Sequence, residues 1–166
     1  VQPVPLPAQK ASGKQAAVPG SADLTAVYVP SDRNGWAGGH DGVVLATTDG
    51  GETWVAASTG LPRDSVWKLI AVSSGAIYAA AGGDLYRTTD AGLTWTHATA
   101  NWGAADYLED VAADASGAVY GVTDSGAVNK STDGGATWAE LRAGLPANVN
   151  YAYAIAADSE STVYVS

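Results

Sequence analysis

Five carboxylates, Asp41, Asp84, Asp106, Glu109 and Asp124, are the side chains of this sequence best suited by type to acid–base chemistry. Two carboxylates flanking one bond, about 5–10 Å apart, can cleave a glycoside: one protonates the leaving oxygen, and the other attacks or activates water. No motif singles out a pair among these five. Their plainer reading is turn and strand-end acids on a solvated face. Metal chemistry finds less support. His40 and His97 are not at ligand spacing, cysteine is absent, and no DxDxDG loop occurs. Nucleophilic catalysis finds none, because there is no GxSxG elbow and no serine, histidine and aspartate that the sequence ties together. The expectation is therefore no catalytic residue, no metal and no cofactor.

The elements that must position these side chains are set by a repeat. Thr47-Thr48-Asp49-Gly50-Gly51-Glu52-Thr53-Trp54 returns as Thr88-Thr89-Asp90-Ala91-Gly92-Leu93-Thr94-Trp95. It returns again as Ser131-Thr132-Asp133-Gly134-Gly135-Ala136-Thr137-Trp138. The starts lie 41 and then 43 residues apart. Self-similarity at that period marks a repeat architecture. Each position has a physical task. Asp49, Asp90 and Asp133 fold back onto their own backbone, as short acids do in tight turns. Gly51, Gly92 and Gly135 supply positive φ. Thr53, Thr94 and Thr137 are expected to start a strand. Trp54, Trp95 and Trp138 are expected to bury a large ring against a neighbouring unit. Thr47, Thr88 and Ser131 open the three turns.

The pattern [S/T]-x-D-x-G-x-T-W resembles the Asp-box, or BNR, repeat of β-propellers. That repeat occurs in sialidases, xyloglucan-type glycosidases, sortilin-like receptors and proteins of the photosystem II stability/assembly-factor type. The run from Gly35 to Leu45 is most similar to the assembly-factor group, and that from Ile155 to Val165 to glycosidase repeats. The resemblance covers roughly residues 22–166. It implies an all-β propeller of four-stranded antiparallel blades, with the boxes on the face away from any active site. Sialidases also need three arginines around the substrate carboxylate. Here Arg33, Arg63, Arg87 and Arg142 are the whole supply, and two of them fall in the wrong places, so that reading fails.

In chain order, residues 1–21 carry Pro3, Pro5, Pro7 and Pro19 and read as an extended tail or linker. An incomplete propeller follows over 22–166, with blades at 22–65, 66–106 and 107–150 and a partial one at 151–166. About three and a half blades cannot close a ring, so a partner, or the remainder of a longer chain, is expected to complete it. Antiparallel strands put the boxes on one face and the ligand-binding side on the other. The candidate partner face holds His40, Asp41, Trp67, Trp102, Asp106, Tyr107, Glu109, Tyr151 and Tyr153. Aromatic rings beside carboxylates suit a protein, a cationic segment or a glycan. Trp36, Tyr78, Tyr120 and Tyr164 occupy equivalent second-strand positions and read as packing between blades.

Composition narrows the function. The formal charge is −9, and Lys10 and Lys14 are the only charges in the first 22 residues, so the repeat body carries −11. Such a surface is a poor partner for nucleic acid. No apolar run reaches the length of a membrane span. The sequence thus reads as a non-catalytic propeller acting as a protein-interaction or assembly scaffold, in a secreted, periplasmic or cell-surface setting. The alternative is part of a secreted glycoside hydrolase or glycan-binding propeller.

Overall fold

A computed structural model describes residues 23–98, 106–146, 151–159 and 162–166. Its regular elements are strands and one short 3₁₀ turn. The first sheet is β1 (Leu24–Tyr28), β2 (Gly35–Gly39), β3 (Val44–Thr47) and β4 (Val55–Ala56). The second is β5 (Val66–Ala71), β6 (Ile77–Ala81), β7 (Asp84–Thr88) and β8 (Thr96–His97). The third is β9 (Leu108–Ala113), β10 (Val119–Thr123), β11 (Val128–Ser131) and β12 (Ala139–Glu140). Strands β13 (Ile155–Ala157) and β14 (Val163–Val165) form a two-stranded sheet. Each sheet is an antiparallel meander in chain order. The 3₁₀ turn, His40–Gly42, joins β2 to β3.

The core lies between successive sheets, and strand alternation explains how. In β6, Ile77, Ala79 and Ala81 face the first sheet, joining Trp36, Val44, Val66 and Leu69. Tyr78 and Ala80 face the third sheet, joining Leu85, Leu108, Val111 and Val119. A third cluster, with Tyr120, Val122, Val128, Ala152 and Ile155, joins the third sheet to the two-stranded one. Period-two side chains on a strand buried on both faces give this division directly. The central strands accordingly carry small residues, such as Ala79 and Ala80, beside one large ring. Of the four equivalent aromatics, Trp36, Tyr78 and Tyr120 are buried, whereas Tyr164 is exposed.

The three repeated turns share one hydrogen-bond scheme. Asp49 Oδ1 accepts from Thr53 N and Thr47 Oγ1, and its Oδ2 accepts from Thr53 Oγ1. Asp90 does the same with Thr94 and Thr88, and Asp133 with Thr137 and Ser131. The opening hydroxyl in turn accepts the N–H of Gly51, Gly92 or Gly135 at 2.8–3.0 Å. Only the hydroxyl is used, which is why serine serves in the third copy. One expectation is corrected here. Thr53, Thr94 and Thr137 do not start strands: pairing begins after the tryptophan, at Val55, Thr96 and Ala139. Their hydroxyls are held by the aspartates instead, so these threonines belong to the turn.

These bonds favour the ionised carboxylates. The Thr53 hydroxyl, with the Thr53 N–H and Thr47 hydroxyl, lowers Asp49 from 3.8 to about 2. Asp90, held first by the Thr88 hydroxyl, and Asp133, held first by the Thr137 hydroxyl, are also lowered to about 2. A depressed carboxylate stabilises the fold above its unfolded value and loses that contribution as pH falls through its folded value. The window is therefore from about pH 4 down to about pH 2. Between these limits the triple variant Asp49→Asn, Asp90→Asn, Asp133→Asn should take up roughly two fewer protons on unfolding than the parent chain. Acid titration of stability, followed by circular dichroism, measures that slope.

The second turn contains a local strain. Gly50 and Gly134 have φ of 80° and 79°, and the equivalent residue is Ala91, at 61°. A side chain costs about 1–2 kcal/mol in that region, partly offset by glycine's greater freedom when unfolded. Ala91→Gly should therefore stabilise the chain by about 1 kcal/mol in denaturant titration.

Adjacent blades interlock through the tryptophans of these turns. Trp95 Nε1 donates to Ala57 O at 2.7 Å, and Trp138 Nε1 donates to Ala98 O at 2.6 Å. The acceptor is in each case the residue three past the preceding sheet's own turn tryptophan. Trp95 N also donates to Thr59 O, and Trp36 Nε1 returns a bond to Ala91 O. Trp54 and Trp138 depart from the expected burial and are only half-buried, and Trp54 makes no such bond to a described residue. No described sheet lies on its flank, where Val27, Val29 and Val55 are also exposed.

Candidate functional site

The face opposite the repeated turns is built from the β2–β3 links and the segments leading into β5, β9 and β13. Its framework is mostly backbone. His40 N donates to Asp23 O, Gly42 N to Asp64 O, and Leu108 N to Gly83 O. Each bond ties the link of one sheet to the segment leading into an inner strand. Inner strands β1, β5 and β9 each break register at one residue near this rim: Thr25, Trp67 and Glu109. A β-bulge of this kind bends the strand and re-aims its side chain. Thr25 Oγ1 uses that direction to reach Val66 O across the first seam, at 2.6 Å.

Three tyrosines stand out from this face. Tyr107, Tyr151 and Tyr153 are 60%, 64% and 68% exposed. The backbone of Tyr107 is fixed by a reciprocal pair, its N–H donating to Asp124 Oδ1 and its carbonyl accepting from Asp124 N, both at 3.0 Å. Its ring lies over Gly83, where a Cβ would come within 2.3 Å of Cδ1. The rings of Tyr151 and Tyr153 stack with centroids 6.1 Å apart and planes 10° from parallel. Tyr153 N donates to Ser166 O at 2.8 Å.

The other expected face residues divide. Trp67 packs half-buried against the second core cluster, so its ring belongs mainly to the seam between sheets two and three. Asp106 and Glu109 are half-buried, and His40 and Asp41 are exposed. Trp102 lies outside the described residues. The five candidate acids differ in their partners. Asp84 pairs with His97 at 3.1 Å and Asp124 accepts from Tyr107, and no hydrogen bond joins Asp41, Asp106 or Glu109 to another described side chain. Among the described residues there is no group of three metal-ligating side chains.

One contact was not read from the sequence. A serine and a histidine do meet: His40 Nδ1 and Ser65 Oγ are 2.6 Å apart, although 25 residues separate them. Among the described residues no carboxylate bonds the other ring nitrogen to orient the imidazole. The pair lacks the third member that makes such a dyad a nucleophile.

Two acids escaped the sequence reading. Asp110, on β9, accepts from Lys68 Nζ of β5 at 2.5 Å and from Ile155 N of β13 at 2.9 Å. It thus ties three successive sheets at their inner strands. The available signal was spacing: Lys68 and Asp110 are one repeat apart, and opposite charges at equivalent repeat positions become neighbours across a seam. Asp114, 5% exposed, accepts from Tyr120 Oη, Ser116 Oγ and the N–H groups of Ser116 and Ala118. Such a saturated acid holds the β9–β10 turn and has no free lone pair aimed at solvent.

The family described as DUF6242 beta propeller domain matches residues 13–165. Photosystem II stability/assembly factor HCF136 of Arabidopsis thaliana is 32% identical over 104 residues, 61% of this chain and 26% of that protein. A structure of YCF48 bound to D1 peptide superposes with a TM-score of 0.66 at 18% identity, over 92% of this chain and 50% of that one. An ancestral GH74 enzyme superposes with a TM-score of 0.70 at 16% identity, over 85% of this chain and 23% of that one. The chain spans a half or less of each of these relatives. The structural likenesses show the fold.

Proposed function

This chain belongs to the DUF6242 β-propeller domain family, and from that premise we propose that it is a non-catalytic module whose exposed-tyrosine face binds another protein. The observation that carries the reading is that face: Tyr107, Tyr151 and Tyr153 expose their rings, and the backbones of Tyr107 and Tyr153 are held by hydrogen bonds. Rigid aromatic side chains bury much area at low entropic cost, and they dominate protein interfaces for that reason. YCF48, which shares the fold, has been solved with a peptide bound, and this supports a polypeptide ligand here. The repeated turns act in this reading as Asp-boxes, structural clasps on the far face. The module works in a secreted, periplasmic or cell-surface setting.

The alternative is a glycoside hydrolase or glycan-binding propeller, for which no sequence motif singles out a carboxylate pair. Incubation of the chain with aryl glycosides and xyloglucan tests the choice. The expected result is no turnover. Turnover that Asp106→Asn abolishes would overturn the reading.

A further inference from the structure

The polarity of the tyrosine face narrows the partner. Asp106 and Asp124 flank Tyr107, the first in sequence and the second through the reciprocal backbone bonds, and Glu109 occupies the bulge two residues on. The nearest cation of the inner strands, Lys68, is already committed to Asp110. Exposed Arg63 lies in the segment leading into β5, whereas around Tyr107, Tyr151 and Tyr153 the strip presents aromatic rings and the carboxylates of Asp106, Glu109 and Asp124. The rings are also in series. Ser65, Tyr107 and Tyr151 each precede the first buried residue of an inner-strand segment: Val66, Leu108 and Ala152. Trp67, Glu109 and Tyr153 follow that residue. The aromatic character thus increases from the second blade to the two-stranded sheet, along a line that crosses the seams. A ligand that follows such a line is elongated. One that matches its chemistry offers cations to π faces and carboxylates together.

We propose that Tyr107, Tyr151 and Tyr153, with Asp106, Glu109 and Asp124, form a docking strip for an extended basic polypeptide segment, its arginine or lysine groups seated on the rings. This rests on the protein-binding reading above and specifies the partner's charge. Sugar rings also stack on tyrosine, but a neutral glycan leaves the carboxylates without a counter-charge.

The test is fluorescence anisotropy of labelled twelve-residue peptides with the 166-residue chain. The probes are an alternating Arg/Ala peptide, an alternating Glu/Ala peptide and a Ser/Ala peptide, together with a labelled xyloglucan oligosaccharide. The Arg/Ala peptide should bind, and raising salt from about 50 to about 300 mM should weaken it about tenfold. Tyr107→Ala and the double variant Tyr151→Ala, Tyr153→Ala should each weaken it tenfold or more. Tyr164→Ala, exposed on β14 and outside the strip, should leave it unchanged. Asp106→Asn with Glu109→Gln should lower both affinity and salt dependence. All sites are exposed or half-buried, and unchanged melting confirms that the variants are folded. Equal binding of the acidic or neutral peptide overturns the charge assignment and leaves the protein-binding reading standing. Binding of the oligosaccharide alone, lost in the tyrosine variants, overturns both. Failure of every peptide to bind, or peptide binding indifferent to the tyrosines, overturns the strip.

Discussion

Replacing Trp95 by alanine should lower stability by about 3–5 kcal/mol, the cost of emptying a large core side chain. The ring is 4% exposed and lies in the cluster that joins the first two sheets. Its Nε1 is also the donor to Ala57 O. Trp95→Phe keeps much of the volume but leaves that buried carbonyl unmet, so it should cost about 1–3 kcal/mol. Trp54→Phe is the internal control. Trp54 occupies the same repeat position, is half-buried and makes no such bond to a described residue. Its replacement should change stability by less than about 0.5 kcal/mol, as surface substitutions do. Urea titration of the three variants gives the comparison. Equal losses at Trp54 and Trp95 would show that the tryptophans stabilise their own turns and not the seam.

Gly135→Ala should cost about 2–5 kcal/mol, and the sum has two parts. Gly135 has φ of 90°, and an added side chain there costs about 1–2 kcal/mol. A Cβ would also lie 2.8 Å from Ala98 Cβ and 3.0 Å from Ala98 O. Overpacking of that kind costs about 1–3 kcal/mol more. Gly75 isolates the first part: its φ is 84°, and nothing lies within 4 Å of an added Cβ. Gly75→Ala should therefore cost only about 1–2 kcal/mol. The excess at Gly135 measures the close approach of the third turn to the second blade. A thermal or urea melt in which the two variants coincide would remove that approach as a source of stability.

The repeat therefore carries two kinds of information, and they were not equally legible. Bonds inside a turn connect residues two or four apart, such as Thr47 to Asp49 and Asp49 to Thr53. Short polar side chains reach their own backbone at that range, so the three turns, and the sheets they join, follow from sequence alone. The small residues of β6 beside Tyr78 likewise signal a strand buried on both faces. Fold class was determined at this level.

Contacts across a seam are another matter, because they join residues about forty apart and depend on how one sheet seats on the next. The sequence treated Trp54 and Trp95 alike, and only the tertiary structure distinguishes a ring with a neighbour from one without. It assigned Trp67 and Tyr107 to one face, whereas packing turns the first toward the core and leaves the second in solvent. It paired neither His40 with Ser65 nor Lys68 with Asp110, although each pair is in contact. Local propensity fixes which strands exist and where their turns bend. The site depends on the rotation between neighbouring sheets and on bulges at Thr25, Trp67 and Glu109, and these arise only when the whole stack forms.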